Sequence, residues 1–208
     1  MMLDIPFVKN ENGAQCMQSA MASVLKYFGK DYSLEELDKL TGRTDDRWTS
    51  SCQGVLVLHE LGLNVHYYSR AEIEPFLQGE PYVRKHFGPD AEEILKHADL
   101  DAWVKAAKKV LELNVFENKK LSWQEVEENI NKGNPMIFLI DQNIVLDKLG
   151  EYAGHYVVLT GFDENYVYYH ESGPNHLEAN RKVSKEKFIA AWDAPANDND
   201  LIIVASRT

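Results

Sequence analysis

The chain has 208 residues, 44% hydrophobic and 26% charged, which suits one soluble domain with a sizeable core and leaves little room for two independent ones. Its net charge of −11 repels phosphate backbones, so nucleic acid is not an expected partner, and no apolar run approaches the length needed for membrane insertion. MMLDIPFVKN lacks the basic-then-apolar pattern of a secretory signal, and two cysteines give no disulfide framework, so the expected setting is reducing and cytoplasmic.

In chain order, Asn12-Gly13 marks a turn, and Met17, Ala20, Met21, Val24, Leu25 and Phe28 then recur three and four apart, which predicts a helix from Cys16 capped at Gly29. Ser33 with Glu36 forms a capping box for a short second helix. A third helix is expected from near Ser51 or Cys52 to Leu61, followed by a strand in GLNVHYYS. Residues 79–90 read as a loop, a candidate lid or internal boundary. Ile94, Leu95, Ala98, Trp103, Ala106, Ala107 and Val110 predict helix from about residue 89 to 113, with a break near Asp99. Ser122 and Glu125 box a further helix ending near Lys132-Gly133.

The period then changes. PMIFLI, HYVVLTGF, NYVYYHE and LIIVAS are short β-rich runs, with Asp163, Glu164 and Asn165 as a hairpin turn between the middle two. RKVSKEK, at 181–187, reads as a solvated approach to a helix. The expected architecture is α+β: a single domain over 1–208, with a helical part over about 10–133 packed on an antiparallel sheet over about 134–208.

Cys16 stands at a predicted helix N-terminus, where unpaired amides and the helix dipole stabilise a thiolate. Such a nucleophile needs an imidazole and a group to orient it. His155 enters one strand and Glu171 ends the next, so an antiparallel pair could bring them to one sheet edge, giving the candidate triad Cys16, His155 and Glu171. The competing reading makes Cys16 a small core residue.

IPFVKNENGAQCMQSAMASVLKYFG and GHYVVLTGFDENYVYYHESGP resemble the papain-like cysteine peptidases, in particular the branch that processes bacteriocin leader peptides and its stand-alone relatives. The resemblance rests on Ile5-Pro6-Phe7, Cys16 and Tyr27-Phe28-Gly29 in the first stretch and on His155 in the second. It implies one papain-like domain, with the cysteine helix against the sheet that bears the histidine. It also implies an oxyanion donor six residues before the cysteine. There this chain has Asn10 where the family has glutamine; Gln15, next to Cys16, is the rival donor. Met17-Gln18 stands where many relatives carry Gly-Pro, and Glu171 replaces the usual aspartate.

The expected activity is hydrolysis of a peptide or isopeptide bond, without a cofactor, on a peptide or a small amide or acyl substrate. An acyltransferase using the same cysteine, and a non-catalytic module binding a peptide or small ligand, stand as alternatives. Oligomeric state is left open. Cys52 begins another helix and reads as packing. His170, Glu171 and His176 lack a dense ligand pair, so no metal is expected, and Asp198, Asn199 and Asp200 read as an Asx-rich turn.

Overall fold

A computed structural model describes residues 1–10, 12–44 and 46–207. Helices α1 (Cys16–Tyr27), α2 (Leu34–Thr41) and α3 (Ser51–Glu60) come first, followed by strand β1 (Leu63–Ser69). Next are α4 (Glu80–Phe87), α5 (Ala91–His97), α6 (Leu100–Leu113), β2 (Phe116–Asn118) and α7 (Trp123–Asn131). The remainder is β3 (Met136–Asp141), α8 (Gln142–Val145), β4 (Gly154–Phe162), β5 (Tyr166–Glu171), β6 (Glu178–Ser184), α9 (Lys185–Trp192) and β7 (Leu201–Ser206).

The strands form one seven-stranded sheet in the order β2-β1-β7-β3-β4-β5-β6. Every pairing is antiparallel except β1 with β2. The fold is therefore α+β, as expected, with helices packed on a mostly antiparallel sheet to which the early part of the chain also contributes β1 and β2.

Local chemistry starts the helices. Ser33/Glu36, Ser50/Gln53 and Ser122/Glu125 are reciprocal capping boxes, each satisfying orphan N–H groups at a helix start. Residues 79–90 are mostly helical where a loop was expected. Pro81 lies in the first turn of α4, where its missing N–H has no helical partner to lose, and Gly79 and Gly88 flank the helix. The punctuation bounds a helix there.

Helix α1 packs against β4 and α3 against β1, while α9 covers β3 and β5. On α1, every residue from Met17 to Leu25 is buried, so this helix runs through the core instead of lying on its surface. Behind the sheet, Phe188 of α9 meets Phe138 at 5.3 Å and Tyr169 at 5.6 Å between ring centroids, and Trp192 meets Phe138 at 5.1 Å. Burying each such ring contributes about 1.5–3 kcal/mol. The sheet is thereby packed on both faces, and the ends of its inner strands β4 and β5 can position side chains.

Candidate active site

Cys16 is the first residue of α1 and, taken as a whole residue, is partly exposed. Burial alone would raise the thiol pKa, but the hydrogen bond and positive charge of His155 outweigh it, aided by the backbone N–H groups of Tyr156 and Met17. The net direction is down from the usual thiol range.

His155 is the second residue of β4, opposite Ile140 of β3. Its Nε2 lies 2.7 Å from Glu171 Oε1, which leaves Nδ1 for the thiol. Burial would push the imidazole pKa down; contacts with Cys16 and Glu171 push it up more strongly. A lowered thiol facing a raised imidazole favours the thiolate–imidazolium form, with the two groups titrating as a pair.

Glu171 ends β5 and is fully buried. The β5–β6 register shifts between Tyr169 and Glu171, a bulge that re-aims the end of the strand. Burial raises the carboxyl pKa, but His155, the Gly173 N–H and the Gln142 amide hold it below the ordinary range. Three donors meet on Oε1: His155 Nε2, Gly173 N at 2.9 Å and Gln142 Nε2 at 3.1 Å. The structure thus brings Cys16, His155 and Glu171 into one chain of contacts, by the hairpin route that the strand pattern implied.

The two rival oxyanion residues part company. Asn10 is fully buried; its Oδ1 accepts the backbone N–H groups of Gly13 at 3.1 Å and Gln15 at 3.3 Å. Those two donors fix the amide orientation, and Nδ2 is left without a hydrogen-bond partner among the described residues. Gln15 sends its Nε2 to Asp38 Oδ2 at 2.6 Å, on α2, and Asp38 in turn pairs with Arg43. The Gln15 donor is therefore engaged elsewhere, while the Asn10 donor is unspent.

Other residues bonded to Tyr156 and Glu171 carry no clear sequence signal. The Tyr156 hydroxyl lies 2.7 Å from Ser51 Oγ, which in turn hydrogen-bonds the buried Asp200 carboxylate. Gln142 was equally unmarked, because its partner Glu171 is 29 residues away. A smaller signal existed for Ser51, which follows the Ser50 cap.

Cys52 is buried and unbonded to Cys16; both cysteines are free. Burial, then the Asp200 charge, push its thiol pKa far up. His170 donates from Nε2 to the Ile5 carbonyl at 2.7 Å and accepts the Asn180 N–H at Nδ1, whereas the His176 ring faces Lys148. Among the described residues, no three His, Cys, Asp or Glu side chains gather as a metal site. Asp198 pairs with His86, Asn199 with the Trp192 carbonyl and Asp200 with Ser51, so the Asx turn spends its side chains on three separate partners.

A family model described as the Peptidase_C39 like family matches residues 86–198, a little more than half of the chain. The match spans His155 and Glu171 and begins after Cys16. No curated protein matches. Among solved structures, the chain is similar to the peptidase domain of Streptococcus ComA, a bifunctional ABC transporter involved in quorum sensing, with 18% identity and a TM-score of 0.53 over 97% of this chain and 98% of that one. It is also similar to a double-glycine motif protease from an AMS/PCAT transporter, solved in complex with the leader peptide (16% identity, TM-score 0.54, 99% and 94% of the two chains). A third similar structure is a C39-like peptidase from Bacillus anthracis, at 14% identity and a TM-score of 0.57 over 100% of this chain and 98% of that one. At these identities the likeness is one of fold. No helix among the described residues is long and apolar enough to cross a membrane.

Proposed function

The chain belongs to the Peptidase_C39 like family, and on that premise we propose that it is a thiol hydrolase that cleaves a peptide or isopeptide bond through Cys16, His155 and Glu171. The observation that carries this reading is the placement of His155 between the Cys16 thiol on one side and the buried Glu171 carboxylate, 2.7 Å away, on the other.

In the proposed reaction the Cys16 thiolate attacks the carbonyl carbon and its electron pair forms the C–S bond. The negative charge moves to the carbonyl oxygen, where the Asn10 amide and the backbone N–H at the helix start supply donors. His155 Nδ1 then gives its proton to the leaving nitrogen as the C–N bond breaks, and a thioester remains. His155 next takes a proton from water, whose oxygen attacks the thioester, and the acid leaves as the thiol is restored. Throughout, Glu171 holds the Nε2–H and so fixes the ring tautomer. No step requires a cofactor. A peptide is the favoured substrate, and the leader peptide bound by the AMS/PCAT protease of similar fold supports that choice.

Iodoacetamide labelling of the native protein from pH 5 to 9, read by mass spectrometry, tests the reading. Cys16 should label selectively at pH 6, and His155→Ala should abolish that early reactivity. Labelling of Cys16 that is slow and rises only above pH 8 would instead make this a peptide-binding module with an inert thiol.

A further inference from the structure

We infer that Gln142 is a positioning residue for the proposed thiol chemistry, its side-chain amide fixing the Glu171 carboxylate against His155, with Gly173 supplying the space this requires. The inference rests on the Cys16–His155–Glu171 reading and adds to it a residue that the sequence pattern does not mark.

A glutamate in the orienting position has one more rotatable bond than an aspartate, and its terminal torsion is soft. Something must take up that freedom if the carboxylate is to hold the imidazole. Here Glu171 Oε2 has no partner among the described residues, while Oε1 takes all three donors. Two of these, Gln142 Nε2 and the Gly173 N–H, do not move protons in the reaction and serve as anchors. Because the amide meets a carboxylate oxygen, its orientation is settled: the opposite flip would set two acceptors together.

Gln142 is itself well placed to anchor. It follows Asp141, which pairs with Gly154 just before His155, and its backbone N–H donates to the Ala153 carbonyl at 2.9 Å. The Asp141 carboxylate accepts the Asn143 N–H at 3.0 Å and so caps the short helix α8 that Gln142 begins. The backbone of Gln142 is therefore tied to the same strand entrance that carries the imidazole. Gly173 completes the arrangement. A Cβ there would stand 2.8 Å from Gln142 Nε2, 3.0 Å from Glu171 Oε1 and 3.7 Å from His155 Cε1. Any side chain at 173 would push the amide off the carboxylate.

Among the described residues, His155 and Tyr169 are ionisable groups that interact electrostatically with Glu171. The test is the pH profile of iodoacetamide labelling at Cys16, from pH 5 to 8, in wild type, Gln142→Leu, Gln142→Glu and Gly173→Ala, with a thermal melt of each. Gln142→Leu should lower the labelling rate at pH 6 about tenfold, the scale of a lost hydrogen bond to a charged group. Gly173→Ala should fall in the same direction and stands in should the leucine variant not fold. Gln142→Glu is the discriminating variant. At acid pH the two neighbouring carboxyls share a proton, and the protonated one donates as the amide did. Its labelling should therefore approach wild type near pH 5 and drop away from it as pH rises. A leucine variant that labels like wild type, or leucine and glutamate variants that fall in parallel at every pH, would overturn the inference while leaving the thiol reading intact. Wild-type Cys16 that is inert at pH 6 would remove the thiol reading and the inference together.

Discussion

The side-chain oxygen of Asn10 accepts the backbone N–H of Gln15 at 3.3 Å. One candidate oxyanion donor thus anchors the main chain of the other. Asn10 accordingly offers two separable groups: its oxygen braces the turn into α1, and its buried nitrogen has no hydrogen-bond partner among the described residues. Asn10→Asp keeps the acceptor and removes the donor. We expect Asn10→Asp and Asn10→Ala each to slow the acylation burst with p-nitrophenyl acetate by about 10². Gln15→Ala should stay within about twofold, since its amide is spent on Asp38. An equal or larger loss from Gln15→Ala would reverse the assignment.

Cys52 provides the internal control for thiol reactivity. It is buried, and desolvation with the nearby Asp200 charge opposes its ionisation. Native protein should show no iodoacetamide adduct at Cys52 from pH 5 to 9, and a full adduct once guanidinium unfolds the chain. Native labelling of Cys52 at a rate near that of Cys16 would mean that the α3 N-terminus opens readily.

Asp200 should leave a mark on stability. Burial, then the Asp198 charge, raise its pKa from the ordinary 3.8 to about 6, against hydrogen bonds from Ser51, Ser69 and Tyr67. The native state therefore holds more protons than the unfolded chain between about pH 4 and 6, and the contribution of this group to stability falls as pH rises through that window. Melting temperatures of wild type and Asp200→Asn, compared over that range, should show the fall in wild type and a flatter line in the variant. Parallel lines would mean that the carboxyl titrates alike in both states.

Phe188 carries the packing behind the site. It touches Phe138, Tyr169 and Trp123 and is fully buried. Phe188→Ala should cost about 3–5 kcal/mol in urea unfolding. A loss under 1 kcal/mol would show that the β3–β5 face repacks around the gap.

Legibility in the sequence followed the range of the interactions. Ser33/Glu36 and Ser122/Glu125 are three residues apart, so their helices could be read locally, and the break at Ala98-Asp99 falls between α5 and α6 as the pattern implied. His155 and Glu171 are sixteen residues apart across one tight hairpin, close enough for strand pattern to bring them together. β6, by contrast, reads EANRKVS; it is an edge strand with mostly solvated side chains, and nothing in it alternates. β2 is three residues long and forms only because β1 offers a parallel edge. The α4 segment misled for a different reason: its glycines and Pro81 are punctuation for a helix as well as for a loop. Asp38 claims the Gln15 amide from 23 residues away, and only the packing of α2 on α1 reveals that choice.

The position of β7 has a consequence for how the chain is made. β7 follows every other strand in the chain yet lies between β1 and β3 in the sheet. During synthesis the β1–β2 pair and the β3–β6 meander can each form, but each keeps an unpaired inner edge until residues 201–206 emerge. Those edges carry Val65 and Tyr67 on one side and Met136 and Phe138 on the other, all buried in the finished protein. A nascent chain stopped short of Leu201 therefore presents two adhesive half-sheets to its surroundings. Premature termination there yields an aggregating chain that holding chaperones must shield, however complete its thiol, imidazole and carboxylate may be.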